Sequence, residues 1–266
     1  VQLRHFFHMF AVFRDSLKSS AGQLSSFQAL MLSLAGRVGA GNIAGVGIAV
    51  TLGGPGAVFW MWVTALVGMS SSFFECTLAQ VYKRRDANGD SYGGPAYYIR
   101  FGLNSKVLAV LFAILISVTY GLIYNSVQAN TIAASLKTFN VDPMITGIVI
   151  AILTALVIFG GVTRIAKVSE WIVPIMAGLY ILTALYIVLV NITTLPAVFA
   201  AIFTKAFSFD AASGGLFGAA VMNGIKRGLF SNEAGEGSVP NAAASANVSH
   251  PAKQGLIQSF GVFVDT

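Results

Sequence analysis

Long apolar stretches, separated by short polar segments, recur along the whole of this chain. A helix that crosses a membrane needs about 20 mostly apolar residues. The pattern predicts seven spans, at residues 27–52, 56–82, 106–136, 144–161, 168–192, 213–235 and 252–266. The chain is therefore predicted to be an all-α integral membrane protein that lies in a lipid bilayer.

The composition narrows the function classes. The 266 residues are 56% hydrophobic and 10% charged, with a mean hydropathy of +0.76. Soluble domains carry about 25% charged residues, so a cytosolic enzyme or a disordered chain is excluded. The net charge is +6, but the basic residues form short clusters between apolar stretches, and no nucleic-acid partner is expected. One cysteine and three scattered histidines predict neither an internal disulfide nor a zinc site.

The basic residues also predict the orientation, because cytoplasmic loops carry an excess of lysine and arginine. With the N-terminus inside, 13 of the 16 basic residues lie on the cytoplasmic side, Lys137 and Lys205 lie outside, and Arg37 lies within the first span. This distribution predicts a multi-pass protein of the cytoplasmic (inner) membrane. Charged residues interrupt positions 1–26, which are expected to form a cytoplasmic segment and not a signal peptide.

The first span is unusually rich in glycine and contains two polar residues. Five glycines occur in the twelve residues from Gly36 to Gly47, together with Arg37 and Asn42. Each glycine costs up to ~1 kcal/mol against alanine in a helix. Irregular backbone at membrane depth persists only inside protein or beside a watery cavity. The stretch predicts a break near residues 39–42 that could hold a ligand, and close helix packing is the alternative for the glycines alone.

The sixth span has a similar character. Gly224 and Gly228 flank a Lys-Arg pair, and a polar Ser-Asn-Glu triplet follows at 231–233. Two glycine-interrupted spans in corresponding positions of two halves are typical of an inverted-repeat transporter, with the binding site at the breaks. A stripe of Phe217, Val221 and Ile225 either contacts a ligand side chain or packs against another helix.

Two further polar residues lie at predicted membrane depth. Glu75 either faces the interior, with Arg37 or Glu233 as a partner, or extends towards the inner boundary. Gln128 shares a helical face with positions 121, 124 and 125. Its carbonyl oxygen could accept a hydrogen bond from an ammonium group, or the amide could bond to a neighbouring helix.

Five motifs resemble, in order, those of the alanine or glycine:cation symporter family. They are GAGNIAGV at 39–46, GGPGAVFWMW at 53–62, GGPAYYI at 93–99, NSVQAN at 125–130 and RGLFSNEAGEGS at 227–238. The resemblance covers nearly the whole chain. It implies sodium-driven uptake of small neutral amino acids, alanine and glycine, with no cofactor besides the coupling ion. It also implies a five-plus-five inverted-repeat transporter core with discontinuous first and sixth helices.

The resemblance implies a division of the chain as well. Residues 1–26 are the cytoplasmic segment, 27–192 the first five-helix repeat, 193–212 an extracytoplasmic loop, and 213–266 the start of the second repeat. Such symporters usually have another helix before the core and about four after the position of Thr266. The second repeat is therefore expected to be truncated here, with some sodium ligands on the missing helices.

The same resemblance, combined with the broken spans, assigns a site. Sodium is expected on the carbonyls of Gly39 and Gly41, with Asn42 as a side-chain ligand. The substrate carboxylate is expected at the N-terminus of the half-helix that starts near Asn42, and its ammonium on Gln128. The expected substrate-binding residues are Ala40, Gly41, Asn42, Gln128, Phe217, Val221, Gly224 and Ile225, of which the last four limit the size of the substrate side chain. Many members carry a hydroxyl residue at the position of Ala40.

Other functions remain open to different degrees. An ion channel would need polar rings along a continuous pore, and only the two broken spans suit one. An intramembrane enzyme lacks an acid–base pair, since no histidine lies in any span. A transporter of the same fold that uses another cation or another small amino acid is the main alternative.

Overall fold

The structure is a computed structural model that describes residues 2–16, 24–39, 41–87, 89–208 and 214–266, and these residues are almost entirely helical. The helices are α1 Phe6–Ser16, α2 Ser26–Arg37, α3 Val46–Gly53, α4 Gly56–Val81, α5 Pro95–Gly102, α6 Lys106–Val118, α7 Asn125–Lys137, α8 Pro143–Ile158, α9 Gly161–Val190, α10 Leu195–Ala206, α11 Gly214–Asn232, α12 Val239–Ser245 and α13 Pro251–Asp265. Strands β1 (Arg84–Arg85) and β2 (Ser91–Tyr92) form a short antiparallel hairpin between α4 and α5.

Three helical stretches of the described chain are long and apolar enough to cross a membrane. They are α4, α9 and the continuous stretch Lys106–Lys137, in which a π-helical segment, Thr119–Tyr124, joins α6 to α7. The apolar side chains of α8 and α9 are largely exposed, for example Ile152 at 55% and Leu182 at 65%. Such surfaces are suited to lipid, and they confirm the prediction of a multi-pass membrane protein.

The first span is interrupted where the glycine-rich pattern predicts. Helix α2 ends at Arg37, and Val38 has an extended backbone (φ −76°, ψ 94°). Helical geometry resumes with the π-helical segment Gly41–Gly45, which continues directly into α3. The two halves of the span therefore meet at the residues between Arg37 and Gly41.

The sixth span is also interrupted, at a position that the sequence pattern alone does not fix. Helix α11 continues through Gly224 and Gly228 and ends only at Asn232. The chain then turns at Glu233 (φ 50°) and at two glycines with positive φ before α12 begins at Val239. The break thus occupies residues 233–238, beyond the two glycines that flank the Lys-Arg pair.

Gly224 and Gly228 serve instead to bring α11 close to α4. A Cβ atom on Gly224 would lie 2.5 Å from the carbonyl oxygen of Ala57 and 2.5 Å from the Cβ of Trp60. A Cβ atom on Gly228 would lie 3.0 Å from that of Thr64. Small residues at such a contact allow two membrane helices to approach closely.

The sequence predicts an extracytoplasmic loop at residues 193–212. The structure shows that this segment contains a helix, α10. This helix has 12 residues and is too short to cross a membrane. It packs on the start of α4, where the Trp60 indole donates a hydrogen bond to the carbonyl of Ala206 at 3.1 Å.

Helix α4 lies at the centre of the described structure and contacts α10, α11, α12 and α13. The largest buried apolar cluster joins α4 to α1, α2 and α13, with Met9, Leu30, Met69 and Ile257 among its members. Helix α1 packs on α13 through aromatic pairs, including Phe10 with Phe260 at a centroid distance of 4.9 Å. The two interrupted spans are therefore held on one common helix.

The close contact at Gly224 predicts a loss of stability on substitution. Gly224→Ala should push α11 from α4 and lower the free energy of unfolding by about 1–3 kcal/mol, the usual cost of overpacking. Thermal unfolding in detergent would show this as a lower midpoint. Gly218→Ala is the matched control, because open space surrounds Gly218 on the same helix. Equal midpoints for the two variants would contradict the prediction.

Candidate functional site

A cavity of about 380 Å³ lies where three irregular parts of the chain meet. They are the end of α2, the third span around its π-helical segment, and the break after α11. The lining residues are Leu32, Ser33, Ala35, Gly36, Gly39, Tyr120, Tyr124, Asn125, Gln128, Glu233, Ser238, Val239 and Ala242. The volume lies towards the lower end of the range for small-molecule sites, about 300–1,000 Å³.

Gln128 reaches from the third span to the interruption of the first. A Cβ atom on Gly39 would lie 3.0 Å from the Nε2 atom of Gln128 and 3.1 Å from its Oε1 atom. The absence of a side chain at Gly39 therefore makes room for the amide. Tyr124 and Asn125 line the cavity beside Gln128, so the polar face predicted for this helix does face inwards.

Asn42 links the interruption to two other helices. Its Oδ1 atom accepts a hydrogen bond from the Gly39 N–H at 3.1 Å. Its Nδ2 atom donates to the Ser231 hydroxyl at 3.0 Å and to the Asp265 Oδ1 atom at 2.5 Å. Ser231 in turn donates to the Asp265 Oδ2 atom at 2.9 Å. One amide thus connects the first span with the end of α11 and the end of α13.

Arg37 is buried directly before the interruption, with 2% of its surface exposed. Its Nη2 atom donates to the Ser72 hydroxyl at 3.2 Å, and its Nη1 atom donates to the carbonyl of Gln258 at 3.3 Å. Glu75 is also buried, and its Oε1 atom accepts from the Gly235 N–H at 3.2 Å. Of the two placements that the sequence allows for Glu75, the structure shows the one in the protein interior.

A stacked pair of tyrosines forms one wall of the cavity. Tyr120 and Tyr124 lie 4.6 Å apart between ring centroids, and Tyr124 stacks on Phe230 of α11 at 5.1 Å. Both hydroxyls donate to the Oε2 atom of Glu236, at 2.7 and 2.8 Å. The π-helical segment of the third span is thereby attached to the break in the sixth.

The structure brings only some of the expected site residues together. Gly39 and Gln128 line the cavity, Asn42 adjoins it through Gly39, and Gly41 begins the π-helical segment. Gly224 faces α4, and Val221 and Ile225 are not among the residues that line the cavity. Ala40 and the side chain of Phe217 lie outside the part of the chain that can be described.

Sequence reasoning missed Ser238, which lines the cavity, and two residues outside its lining, Asp265 and Glu236. Asp265 stands alone in an apolar stretch, and its partner Asn42 is 223 positions away. Glu236 and Ser238 lie in a glycine-containing turn that the sequence places in a cytoplasmic loop. The polar triplet at 231–233 was the available signal, because it marks the true end of α11.

An all-helical chain with two interrupted spans and a polar cavity between them defines a multi-pass membrane transporter rather than an enzyme. The chain belongs to the sodium:alanine symporter family, whose model matches residues 1–266.

Similar proteins come from bacteria and archaea. The chain is 55% identical to the amino-acid carrier protein AlsT of Bacillus subtilis and 51% identical to the "Probable sodium/glutamine symporter GlnT" of the same organism, in each case over 100% of this chain. It is 49% identical to the sodium/alanine symporter AgcS of Methanococcus maripaludis over 94% of this chain. These matches cover 57%, 56% and 56% of the respective relatives, so the chain spans little more than half of their length.

The hydrogen bonds of Asn42 predict a structural cost for its removal. Asn42→Ala should leave the partly buried Gly39 N–H and the Asp265 carboxylate without this partner, and should destabilise the fold by about 1–3 kcal/mol. The midpoint of thermal unfolding in detergent would measure the effect. Asn191→Ala is the control, since Asn191 is exposed at the end of α9 and its side chain donates to the carbonyl of Ile187. An unchanged midpoint for Asn42→Ala would refute the linking role.

Proposed function

We propose that the whole protein carries small neutral amino acids, alanine and glycine, across the cytoplasmic membrane together with sodium. The observation that carries this proposal is the cavity in which Gln128 meets the interrupted first span at Gly39. Membership of the sodium:alanine symporter family and the similarity to AgcS support the substrate class and the coupling ion.

The proposed architecture is a five-plus-five inverted repeat that works by alternating access. Residues 27–192 would form the first repeat and 213–266 the start of the second, with the N-terminus in the cytoplasm. Two observations support this arrangement: the interruptions fall in the first and sixth spans, and both border the same cavity.

In the proposed complex, the two charged ends of the amino acid bind to different elements. The carboxylate lies at Ala40, Gly41 and Asn42, where the helical backbone resumes and its N–H groups favour an anion. The ammonium donates to the carbonyl oxygen of Gln128. Of the sixth-span residues, Gly224 is proposed to limit side-chain size indirectly, through the close position of α11 against α4.

The proposed sodium site lies at the same interruption. Hard oxygen ligands are available from the carbonyls of Gly39 and Gly41 and from the side chain of Asn42. The hydrogen-bonded cluster adds the hydroxyl of Ser231 and the carboxylate of Asp265. Asp265 supplies the negative charge that a purely amide and carbonyl site would lack.

A transporter of the same architecture with another cation or another amino acid is the second candidate. GlnT, a relative at 51% identity, is named a probable sodium/glutamine symporter. Similarity at this level therefore does not fix the side chain that the pocket accepts, and a comparison of substrates decides between the candidates.

Uptake of radiolabelled amino acids by the whole protein in liposomes tests the function. We expect alanine and glycine to accumulate when sodium is imposed outside, and not when potassium replaces it. Excess unlabelled glutamine should compete poorly. Accumulation driven equally by a proton gradient without sodium, or competition by glutamine as strong as that by alanine, would favour the second candidate.

Gln128→Ala tests whether Gln128 binds the ammonium group of the substrate. The variant should weaken alanine binding by about 1–3 kcal/mol, the cost of losing a hydrogen bond to a charged group. Asn130→Ala is the matched control, because this amide is exposed on the same helix. Titration of both purified proteins at saturating sodium gives the affinities. Equal affinities would show that the ammonium is held elsewhere.

A further inference from the structure

One carboxylate stands out among the residues around the cavity. Glu233 is the single charged side chain among the described residues that line it, and only 5% of its surface is exposed. It lies at the first position after α11, where the backbone has a φ of 50°. The break in the sixth span therefore places one negative charge at the surface of the cavity.

Among the described residues, the hydrogen-bond partners of Glu233 are neutral hydroxyls, and Arg37 acts on it only from a distance. The Oε2 atom of Glu233 accepts a hydrogen bond from the neutral hydroxyl of Ser238 at 2.6 Å. Arg37, the nearby buried cation, directs its Nη2 and Nη1 atoms at Ser72 and at the carbonyl of Gln258. A carboxylate at membrane depth is costly, and such groups normally mark a path or a site for a cationic partner.

We infer that the carboxylate of Glu233 binds the ammonium group of the transported amino acid inside this cavity. The inference rests on the proposed function and deepens it. An ammonium has three hydrogens to donate and one positive charge, whereas the amide of Gln128 supplies a neutral acceptor. Glu233 provides the charge, and Gln128 orients the group at the interruption of the first span.

This assignment has a consequence for specificity. A substrate whose side chain carries a second carboxylate would bring a negative charge into a cavity that already contains one, and like charges in a poorly solvated site repel strongly. Glu233 would thus select zwitterionic amino acids and reject acidic ones.

The chain offers a matched control three residues away. Glu236 belongs to the same turn, but it lines a separate groove of about 390 Å³ on the other side of the tyrosine pair. Both tyrosine hydroxyls can still donate to the carbonyl oxygen of a glutamine at this position. Glu236→Gln therefore removes a carboxylate from the same segment without removing one from the cavity.

The test is calorimetric titration of alanine into the whole protein at saturating sodium. We expect Glu233→Gln to raise the Kd at least tenfold, Glu233→Asp to stay within about threefold of wild type because it keeps the charge, and Glu236→Gln to stay within about twofold. A Glu233→Gln variant within threefold of wild type would overturn the inference. So would equal losses for Glu233→Gln and Glu233→Asp, which would indicate a structural role.

A sodium titration without amino acid separates ammonium binding from sodium binding. The intrinsic fluorescence of the protein gives the readout, and Glu233→Gln should leave its midpoint for sodium unchanged. A shifted midpoint would assign the carboxylate to the coupling ion and contradict the inference. If wild type binds neither alanine nor glycine, the proposed function itself fails, whereas normal wild-type binding with an unaffected Glu233→Gln variant refutes only the role of Glu233.

Discussion

The hydrogen bonds of the Asn42 side chain hold the interrupted first span in place, and the geometry of the cavity depends on them. A helix that stops at membrane depth leaves N–H and carbonyl groups that must find partners within the protein. Asn42 provides one such partner to the Gly39 N–H and bonds at its other end to Ser231 and Asp265. With the break fixed in this way, Gly39 comes to lie against Gln128 and the backbone of the second half-helix begins beside the cavity.

The first interruption could be predicted from sequence, and the second could not be placed correctly. In the first span, glycines occur together with Arg37 and Asn42, and polar side chains at membrane depth need a protein interior. In the sixth span, Gly224 and Gly228 are the more conspicuous glycines, but glycine also permits close helix packing. Which role applies depends on the facing helix, here α4, and that neighbour is not visible in the local pattern.

Residues whose partners are distant in the chain account for most of what sequence reasoning missed. Asp265 looks like an isolated acid at the end of an apolar stretch, yet it bonds to Asn42 at the opposite end of the chain. The sequence places Glu236 in a cytoplasmic loop, yet two tyrosines of the third span donate hydrogen bonds to its carboxylate. The sequence identified Gln128 more easily, because its polar neighbours lie on the same helix at regular spacing.

The distribution of charge around the interruption gives a physical reason for coupling a cation to an amino acid. The guanidinium of Arg37 interacts electrostatically with three carboxylates, those of Glu75, Glu233 and Asp265. In the proposed complex, the ammonium approaches Glu233, but the substrate carboxylate must lie near Asn42 and therefore near Asp265. Repulsion between these two carboxylates opposes binding until a cation bound at Asp265 neutralises one of them. In this proposal the affinity for the amino acid depends on sodium, and by thermodynamic linkage the affinity for sodium depends equally on the amino acid.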